Sequence, residues 1–180
     1  MFASLPNEAP LCLTVDSCGG SLSGSLKIFP QRGNYVSGKA RRPLVWGNTQ
    51  DLHDEIRSYS ALAGDPAAHF ADSVCACASR RFKLTFDDDQ GVAVRRCVSC
   101  DADHAIGDSA EFLEEANLDE AQCPCGAEEL EISVGVSLYG DSDAVRWLYL
   151  GCRCPKCGLV AVYGDWKNEF EDYRALLAMV

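Results

Sequence analysis

The sequence lacks the features of a membrane or secreted protein. It contains no run of roughly 18 apolar residues, so it predicts no membrane-spanning helix and no membrane partner. The segment Met1–Gly20 has no basic stretch followed by a continuous apolar stretch, so it does not predict a secretory signal peptide. We therefore expect a cytoplasmic protein whose thiols stay reduced.

Basic residues are also scarce. The 180 residues include 16 Lys and Arg against 27 Asp and Glu, which gives a formal net charge of −11. Such a charge repels phosphate backbones and anionic lipids, and the basic cluster Lys39–Pro43 is too short to offset it. The composition therefore predicts no nucleic-acid partner. It favours a basic protein partner. In the alternative interpretation, the acidity serves only to keep the protein soluble.

Recognisable catalytic motifs are missing as well. The sequence has no P-loop, no dinucleotide-binding glycine motif and no Ser-His-Asp order. Its three histidines, His53, His69 and His104, show no partner set along the chain. His104 lies four residues past Cys100 and could replace a metal ligand, although a surface position is the commoner role. We predict a protein that is not an enzyme, without catalytic or cofactor-binding residues.

Cysteine, in contrast, is abundant and clustered. Eleven cysteines form an odd total, whereas a disulfide framework needs an even one. Eight of them fall into two sets with the layout Cys-x-Cys, a long interval, then Cys-x-x-Cys. The first set is Cys75, Cys77, Cys97 and Cys100, and the second is Cys123, Cys125, Cys154 and Cys157. Four thiolates complete the tetrahedral shell that Zn²⁺ prefers and leave no open position, so we predict two structural zinc ions per chain.

Three further cysteines need a separate interpretation. Cys152, Cys154 and Cys157 compete for two ligand positions, and the first set decides between them. The counterpart of Cys152 in that set is Arg95, which cannot bind a metal, so Cys152 is predicted to be a spare thiol. Cys12 and Cys18 are predicted non-ligands, because buried free cysteine behaves as a small apolar residue.

The two cysteine sets belong to a longer repeat. Gly-Asp follows the last cysteine of each set by seven residues, at Gly107-Asp108 and Gly164-Asp165. A weaker copy precedes them, since residues 45–56 resemble residues 162–173. In that copy Asp16, Ser37 and Ala40 stand at ligand positions beside Cys18, so it is predicted to hold no metal. The predicted division is 1–72 as a degenerate metal-free repeat, and 73–120 and 121–180 as zinc-binding repeats.

Each copy is predicted to form a β-hairpin followed by a helix. Alternating apolar residues predict hairpins in the ranges 21–40, 81–96 and 130–150. Helices are predicted to begin at Asn48, Asp108 and Asp165, with Glu111 completing a capping box with Asp108. One helix face is predicted to bury Trp166, Phe170, Tyr173 and Leu177. The fold class is thus α+β, with three tandem hairpin-plus-helix units and antiparallel strands.

The cysteine hairpins resemble the zinc-ribbon superfamily, to which rubredoxin-like knuckles are related. The resemblance covers roughly residues 75–177 and implies a zinc-stabilised β-hairpin. It implies little about activity, because ribbons occur in nucleic-acid binders, adaptors and enzymes alike. The Cys-x-Cys half departs from the commoner Cys-x-x-Cys knuckle, which puts the geometry of that half-site in doubt.

The functional prediction is a zinc-stabilised, acidic protein-binding module. One specific form is an immunity or antitoxin protein that neutralises a basic toxin. The alternatives are a nucleic-acid-associated ribbon protein and an enzyme with structural zinc only. Acidic hairpin tips, with Asp87, Asp88 and Asp89 in one and Asp141 and Asp143 in the other, disfavour nucleic acid and are expected to face the partner.

Overall fold

The computed structural model describes residues 26–28 and 43–180. In chain order the elements are β1 (Leu26–Ile28), β2 (Val45–Trp46), α1 (Thr49–Ala63), β3 (His69–Asp72), β4 (Phe82–Asp87), β5 (Val92–Cys97), β6 (Asp103–Ala105), a short 3₁₀ helix (Ser109–Glu111), β7 (Asp119–Gln122), β8 (Glu131–Leu138), β9 (Val145–Arg153), β10 (Leu159–Lys167) and α2 (Tyr173–Leu177). None of the helices in this described part is long and apolar enough to cross a membrane.

The strands form two five-stranded sheets. The first has the order β1-β7-β4-β5-β6, and the second has the order β2-β10-β9-β8-β3. Strand β1 runs parallel to β7, whereas every other neighbouring pair is antiparallel. The prediction of a mixed fold with mostly antiparallel strands is therefore confirmed, whereas three tandem ribbon units are not seen as such.

Both hairpins predicted between cysteine pairs are present. One is β4–β5, in which Phe82 pairs with Cys97, and the other is β8–β9, in which Ile132 pairs with Cys152. Alternating polar and apolar residues in β4 explain why that strand was recognisable, because its apolar positions Phe82, Leu84 and Phe86 are all buried. Each hairpin brings the two halves of a cysteine set to its open end.

The predicted first copy lies mostly outside the described residues. This applies to Cys12, Cys18, Asp16, Ser37 and Ala40 and to most of the hairpin predicted in 21–40. The exception is β1, which pairs with β7. The division into repeats at 1–72, 73–120 and 121–180 stays a prediction. Strand pairing crosses those limits, since β3 pairs with β8 and β1 pairs with β7.

Helix α1 begins where the sequence predicts. The Asn48 side chain accepts hydrogen bonds from the backbone N–H groups of Gln50 and Asp51, at 2.7 and 3.3 Å. The Asp51 carboxylate accepts from the Asn48 N–H in return, at 2.6 Å, which completes a capping box. Gly64 ends the helix in the left-handed conformation, with φ of 100°.

One face of α1 packs on the second sheet through close approach to two glycines. A Cβ atom at Gly135 of β8 would lie 2.7 Å from Ile56 Cγ2, and one at Gly151 of β9 would lie 2.5 Å from Ile56 Cδ1. Only glycine allows this approach. The opposite face of the same sheet packs on the first sheet, in a core that contains Phe82, Leu84 and Val134. The second sheet is therefore covered on both faces.

The helix predicted at Asp108 is wrong. Only the 3₁₀ turn Ser109–Glu111 forms, and the Asp108 side chain makes no capping hydrogen bond to it. The Asp108 carboxylate instead accepts from Nδ2 of Asn168, at 3.1 and 3.0 Å. A long-range contact thus takes the side chain that the capping box would have used.

The helix predicted at Asp165 is also wrong. Strand β10 continues through Gly164 and Asp165 to Lys167, with a register shift between Val162 and Gly164. Trp166 belongs to strand β10, and its side chain is buried there. The helical spacing of Trp166, Phe170 and Tyr173 therefore does not reflect a helix. Strand β10 lies between β2 and β9 and is covered on both faces, so its continuous apolar run outweighs the local helix pattern. Helix α2 begins later, after Asp172, whose side chain accepts from the N–H of Arg174 at 2.9 Å.

Candidate metal centres

The first predicted cysteine set converges at the open end of the β4–β5 hairpin. Cys75 and Cys77 precede β4, Cys97 is the last residue of β5, and Cys100 follows it. The sulfur atoms of Cys75 and Cys100 lie 3.5 Å apart, and those of Cys77 and Cys97 lie 3.6 Å apart. All four sulfurs lie within 4.8 Å of one another, so they can hold a single ion.

The second set converges in the same way at the open end of the β8–β9 hairpin. The sulfur atoms of Cys123 and Cys157 lie 3.6 Å apart, as do those of Cys125 and Cys154. These four sulfurs also lie within 4.8 Å of one another. In each of the four cysteine pairs the first residue is buried and the second is exposed, so both centres lie at the protein surface.

The two Cys-x-Cys halves share one backbone turn. The N–H of Cys75 donates to the carbonyl of Ser79, and the N–H of Ala78 donates back to the carbonyl of Cys75. In the second centre the N–H of Cys123 donates to Ala127, and the N–H of Gly126 donates to Cys123. Ala78 and Gly126 stand at the same place in the turn with φ of 67° and 82°. The unusual Cys-x-Cys spacing therefore folds into a regular knuckle.

The two Cys-x-x-Cys halves share another turn. The N–H of Asp101 donates to the carbonyl of Cys97, and the N–H of Gly158 donates to the carbonyl of Cys154, at 2.9 and 2.8 Å. The residue after the second cysteine again has positive φ, 57° at Asp101 and 77° at Gly158. These turns direct backbone N–H groups at the sulfurs, as in the 3.4 Å contact from the Ser99 N–H to Cys97 Sγ.

The thiols of the first centre differ in how readily they ionise. Desolvation raises the pKa of Cys97, but N–H groups of Ser99 and Cys100 and the neighbouring thiols outweigh it and lower the pKa to about 6. The Ala102 N–H lowers the pKa of Cys100, yet hydrogen bonds from its thiol to Cys75 and the other cysteines raise it to about 12. Once one thiolate has formed, it opposes the next.

The thiols of the second centre also differ in their pKa values. Burial raises the pKa of the Cys123 thiol well above its usual range. Burial also raises the pKa of Cys125, but the Ala127 N–H and the neighbouring thiols outweigh it and lower the pKa to about 7. Four thiolates at such short separations repel one another strongly, and a divalent cation is what allows all four to ionise.

The donor set fits zinc. Zn–S bonds of about 2.3 Å in a regular tetrahedron place the sulfurs about 3.8 Å apart. The closest sulfur pairs, at 3.5 to 3.6 Å, need only a small outward movement to reach that separation. Iron also accepts four thiolates in this geometry. With four protein ligands the shell is closed, so such an ion would stabilise the fold and would not bind substrate.

Cys152 lies outside both quartets in the described structure. Its side chain is fully buried on β9, opposite Ile132 on one side and Ala161 on the other. Burial raises its pKa well above the usual value for a thiol. Its position agrees with the prediction of a spare thiol that packs in the core.

Arg95 is a neighbour of the first centre whose role the sequence did not reveal. It is only 5 % exposed, and its guanidinium lies 4.6 Å above the ring of Phe82. It pairs with no Asp or Glu side chain among the described residues, and its polar contacts are the main-chain oxygens of Val74 and Val180, at 3.5 and 3.4 Å. Desolvation lowers its pKa, while the charges of Cys75 and Cys97 raise it. Arg95 is thus placed to offset the negative charge of the thiolates.

His53 has a partner that sequence spacing could not indicate. Its Nε2 lies 2.8 Å from Oδ1 of Asp72, and the Ser133 hydroxyl donates to the same oxygen at 2.5 Å. Burial raises the pKa of Asp72, but these two hydrogen bonds and the charges of His53 and Arg80 lower it overall. The Ser133 hydroxyl is directed at the carboxylate and not at the imidazole, so this trio joins α1, β3 and β8 and does not form a nucleophile–base pair.

His104 is exposed, as the sequence analysis favoured, whereas Asp87 differs from its sequence-based interpretation. Nε2 of His104 lies 3.0 Å from the carbonyl oxygen of Met179, and His104 belongs to neither quartet. Asp87 is 7 % exposed, and its carboxylate accepts from the N–H groups of Asp89, Gln90 and Asn117. Asp87 therefore organises its turn, and it is not available to face a partner as we expected.

Comparisons with protein-family models, with curated proteins and with solved structures found no significant match to this chain. The resemblance to zinc ribbons therefore rests on the two cysteine quartets themselves.

Proposed function

We propose that this protein is a zinc-stabilised module that binds a basic protein. The observation that carries the first part is the convergence of eight cysteines into two closed quartets, each at the open end of a hairpin. Structural zinc in small peptides contributes apparent binding free energies of about 10–16 kcal/mol. Two such ions would fix the ends of both sheets, and they would leave the rest of the surface free for binding.

The charge of the chain supports a basic partner. The net charge of −11 would slow the approach of nucleic acid and raise the association rate with a positively charged protein. Neutralisation of a basic toxin, in the manner of an immunity protein, is the specific form that we propose. The zinc ions have no catalytic role in this proposal, because a four-cysteine shell has no position for a reacting water.

The experiment uses the basic products of the genes that flank the gene for this protein. Each product is titrated against the immobilised zinc-loaded protein from about 0.01 to about 0.15 M salt, over which the screening length falls from about 30 to about 8 Å. We expect one product to bind with an association rate that falls clearly with salt while its dissociation rate changes less. Tight binding to plain duplex DNA at about 0.15 M salt, with no binding of these products, would contradict the proposal and favour a nucleic-acid role.

A further inference from the structure

One turn of the second cysteine quartet holds the chain segment that leads into α1. This turn is the stretch 153–158, which contains the Cys-x-x-Cys half of the quartet. At its far end the carbonyl oxygen of Gly158 accepts from the N–H of Gly47, at 2.8 Å. At its near end Nε of Arg153 donates to the carbonyl oxygen of Gly47, at 2.6 Å. Both main-chain polar groups of Gly47 are therefore bound by residues that flank the metal ligands, in a pair of contacts that we call the Gly47 clasp.

The side chain of Arg153 is held in position for this contact. Its Nη1 donates to the Glu131 carboxylate on β8, at 2.9 Å, and the side chain is only 22 % exposed. Arg96 occupies the matching position before the first Cys-x-x-Cys pair, but it is exposed and pairs with Asp103 of β6. In the first hairpin this arginine thus binds a neighbouring strand, whereas in the second it binds the segment before α1.

The Gly47 clasp lies directly before the start of α1. Asn48, the next residue, caps the helix, and the Asp51 carboxylate accepts from the Asn48 N–H in return. This capping box packs closely on Gly47, because a Cβ atom there would lie 2.3 Å from Oδ2 of Asp51. On the other side, strand β2 pairs with the start of β10, which follows the quartet's turn directly. A shift of the turn would therefore act on both β2 and the first turn of the helix.

The conformation of this turn depends on a shared cation. Cys157 is exposed, and its sulfur lies 3.6 Å from that of Cys123, in the other half of the quartet. Four thiolates at this separation repel one another unless a divalent ion binds them all. Without that ion the turn keeps only hydrogen bonds of its own, such as the one from the Gly158 N–H to the Cys154 carbonyl. Gly158 directly follows Cys157, so loosening of that ligand reaches the clasp through one peptide bond.

We propose that the second centre and residues 44–52 form one coupled unit, in which metal at the quartet keeps β2 and the first turn of α1 docked through the Gly47 clasp. Loss of that metal frees β2 and uncovers the edge of β10, so the surface that carries the exposed side chain of Trp46 depends on metal. The first centre is not expected to control these residues, because the contact of α1 with the segment before that centre, between His53 and Asp72, lies beyond them. Coupling is reciprocal, so the clasp also raises the zinc affinity of the second quartet.

Hydrogen exchange measures the effect of the metal on the segment. The zinc-loaded parent protein is compared with Cys157→Ser, which removes an exposed ligand of the second quartet, and with Cys100→Ser, which removes the matching exposed ligand of the first. We expect the amides of residues 44–52 to exchange roughly tenfold faster in the Cys157 variant and within about twofold of the parent in the Cys100 variant. The β4–β5 hairpin should keep its protection in the Cys157 variant. No acceleration in residues 44–52, equal acceleration by both variants, or equal acceleration throughout the chain would overturn the proposal.

Zinc affinity measures the reverse effect, in the Cys100→Ser protein that keeps only the second quartet. Arg153→Met removes one arm of the clasp. Lys156→Met is the matched control, because Lys156 is exposed, lies between the two ligands of the same turn and carries the same charge. Glu131→Gln is included in both variants, so that neither leaves the partner of Arg153 as an unpaired carboxylate.

We expect the Arg153 variant to bind zinc about tenfold more weakly than the Cys100→Ser protein, with the Lys156 variant within about twofold of it. Equal affinity in the two variants would overturn the clasp, since Arg153 would then act through its charge alone or not at all. Chelator competition gives both values.

The inference rests on the zinc-binding part of the proposed function, and the two can fail separately. Absence of zinc from the parent protein would contradict the proposed function and the coupling together. Zinc binding without the expected changes in exchange and affinity would overturn the coupling alone. Binding of a basic partner is not used in either measurement.

Discussion

Arg95 occupies in the β4–β5 hairpin the position that Cys152 occupies in the β8–β9 hairpin. Each lies two residues before the first cysteine of a Cys-x-x-Cys pair, and both side chains are buried. Arg95 pairs across the hairpin with Leu84, and Cys152 pairs with Ile132. The same position thus carries a cation beside the first centre and a neutral thiol beside the second, so the two centres differ in their surroundings and not in their ligands.

The first prediction concerns this cation. Replacing Arg95 with Leu should weaken zinc binding at the first centre by about 10–100-fold, because the thiolates of Cys75 and Cys97 lose the buried positive charge beside them. The second centre should keep its affinity. Competition with a chromophoric chelator measures both. Arg96→Leu is the matched control, since Arg96 is on the same strand but is exposed and pairs with Asp103. Equal zinc affinity in the two variants would show that Arg95 does not support the centre.

A second prediction separates the ligand thiols from the spare one. Cys154→Ser should lower the zinc content by about one ion per chain, since a three-cysteine shell with a neutral hydroxyl holds zinc poorly. Cys152→Ala should leave the zinc content unchanged, because Cys152 lies outside both quartets. Elemental analysis of the purified proteins gives the ratio. Loss of an ion from the Cys152 variant and not from the Cys154 variant would move the ligand assignment by two residues.

The knuckle turns give a reciprocal pair of substitutions. Gly126→Ala should destabilise the protein by about 1 kcal/mol, since φ of 82° disfavours a side chain while the space around a Cβ is open. Ala78→Gly, at the matching place in the first centre, should raise stability by up to about 1 kcal/mol, because it relieves the same strain. Denaturant unfolding at a fixed excess of zinc measures both. A gain in stability from Gly126→Ala would contradict the geometry.

The thiol pKa values predict how acid releases the metal. A zinc ion must displace every proton still held by its four thiols, so affinity falls as pH falls. Near pH 7 the Cys97 thiol, with a pKa of about 6, is already mostly ionised, so it contributes little to the proton release on zinc binding. Below about pH 6 it contributes one further proton, and the fall in affinity steepens. In the second centre Cys125, with a pKa of about 7, should cause this steepening at higher pH.

Single-centre variants allow that order to be measured. Cys157→Ser leaves the first centre intact and Cys100→Ser leaves the second, and both replace exposed ligands. The logarithm of apparent zinc affinity is then followed from about pH 5.5 to about pH 8. The account expects the affinity of the second centre to begin its steeper fall at a higher pH than that of the first. The reverse order, or identical profiles, would contradict the assigned thiol pKa values.

Local pattern predicted the parts of this molecule whose cause is local. The cysteine spacing, the alternation in β4 and the cap at Asn48 act over a few residues, and each appears in the structure. The helices predicted at Asp108 and Asp165 do not form, because contacts with elements distant in sequence determine the backbone structure at both positions. Asn168 takes the Asp108 carboxylate, and cover on both faces keeps β10 extended. The pairing of strands and the packing of other elements against them involve residues distant in sequence. Neither can be derived from a window of neighbouring residues.

The functional contacts that the sequence missed are all long-range. Asp72 lies 19 residues from His53 and 61 from Ser133, and the main-chain oxygen near Arg95 belongs to a residue 85 positions away. Charge composition favoured a basic partner, but it could not distinguish Asp87, whose carboxylate organises its turn, from Asp89, whose backbone N–H donates to Asp87.

The central claim is that each cysteine quartet holds one zinc ion, and metal content together with coordination tests it most directly. Native mass spectrometry of the protein purified without added metal, combined with X-ray absorption at the zinc edge, gives the stoichiometry and the ligand shell. The account predicts two zinc ions per chain, each with four sulfur neighbours at about 2.3 Å. A folded chain without metal, a shell that contains nitrogen or oxygen, or a ratio near three would contradict it.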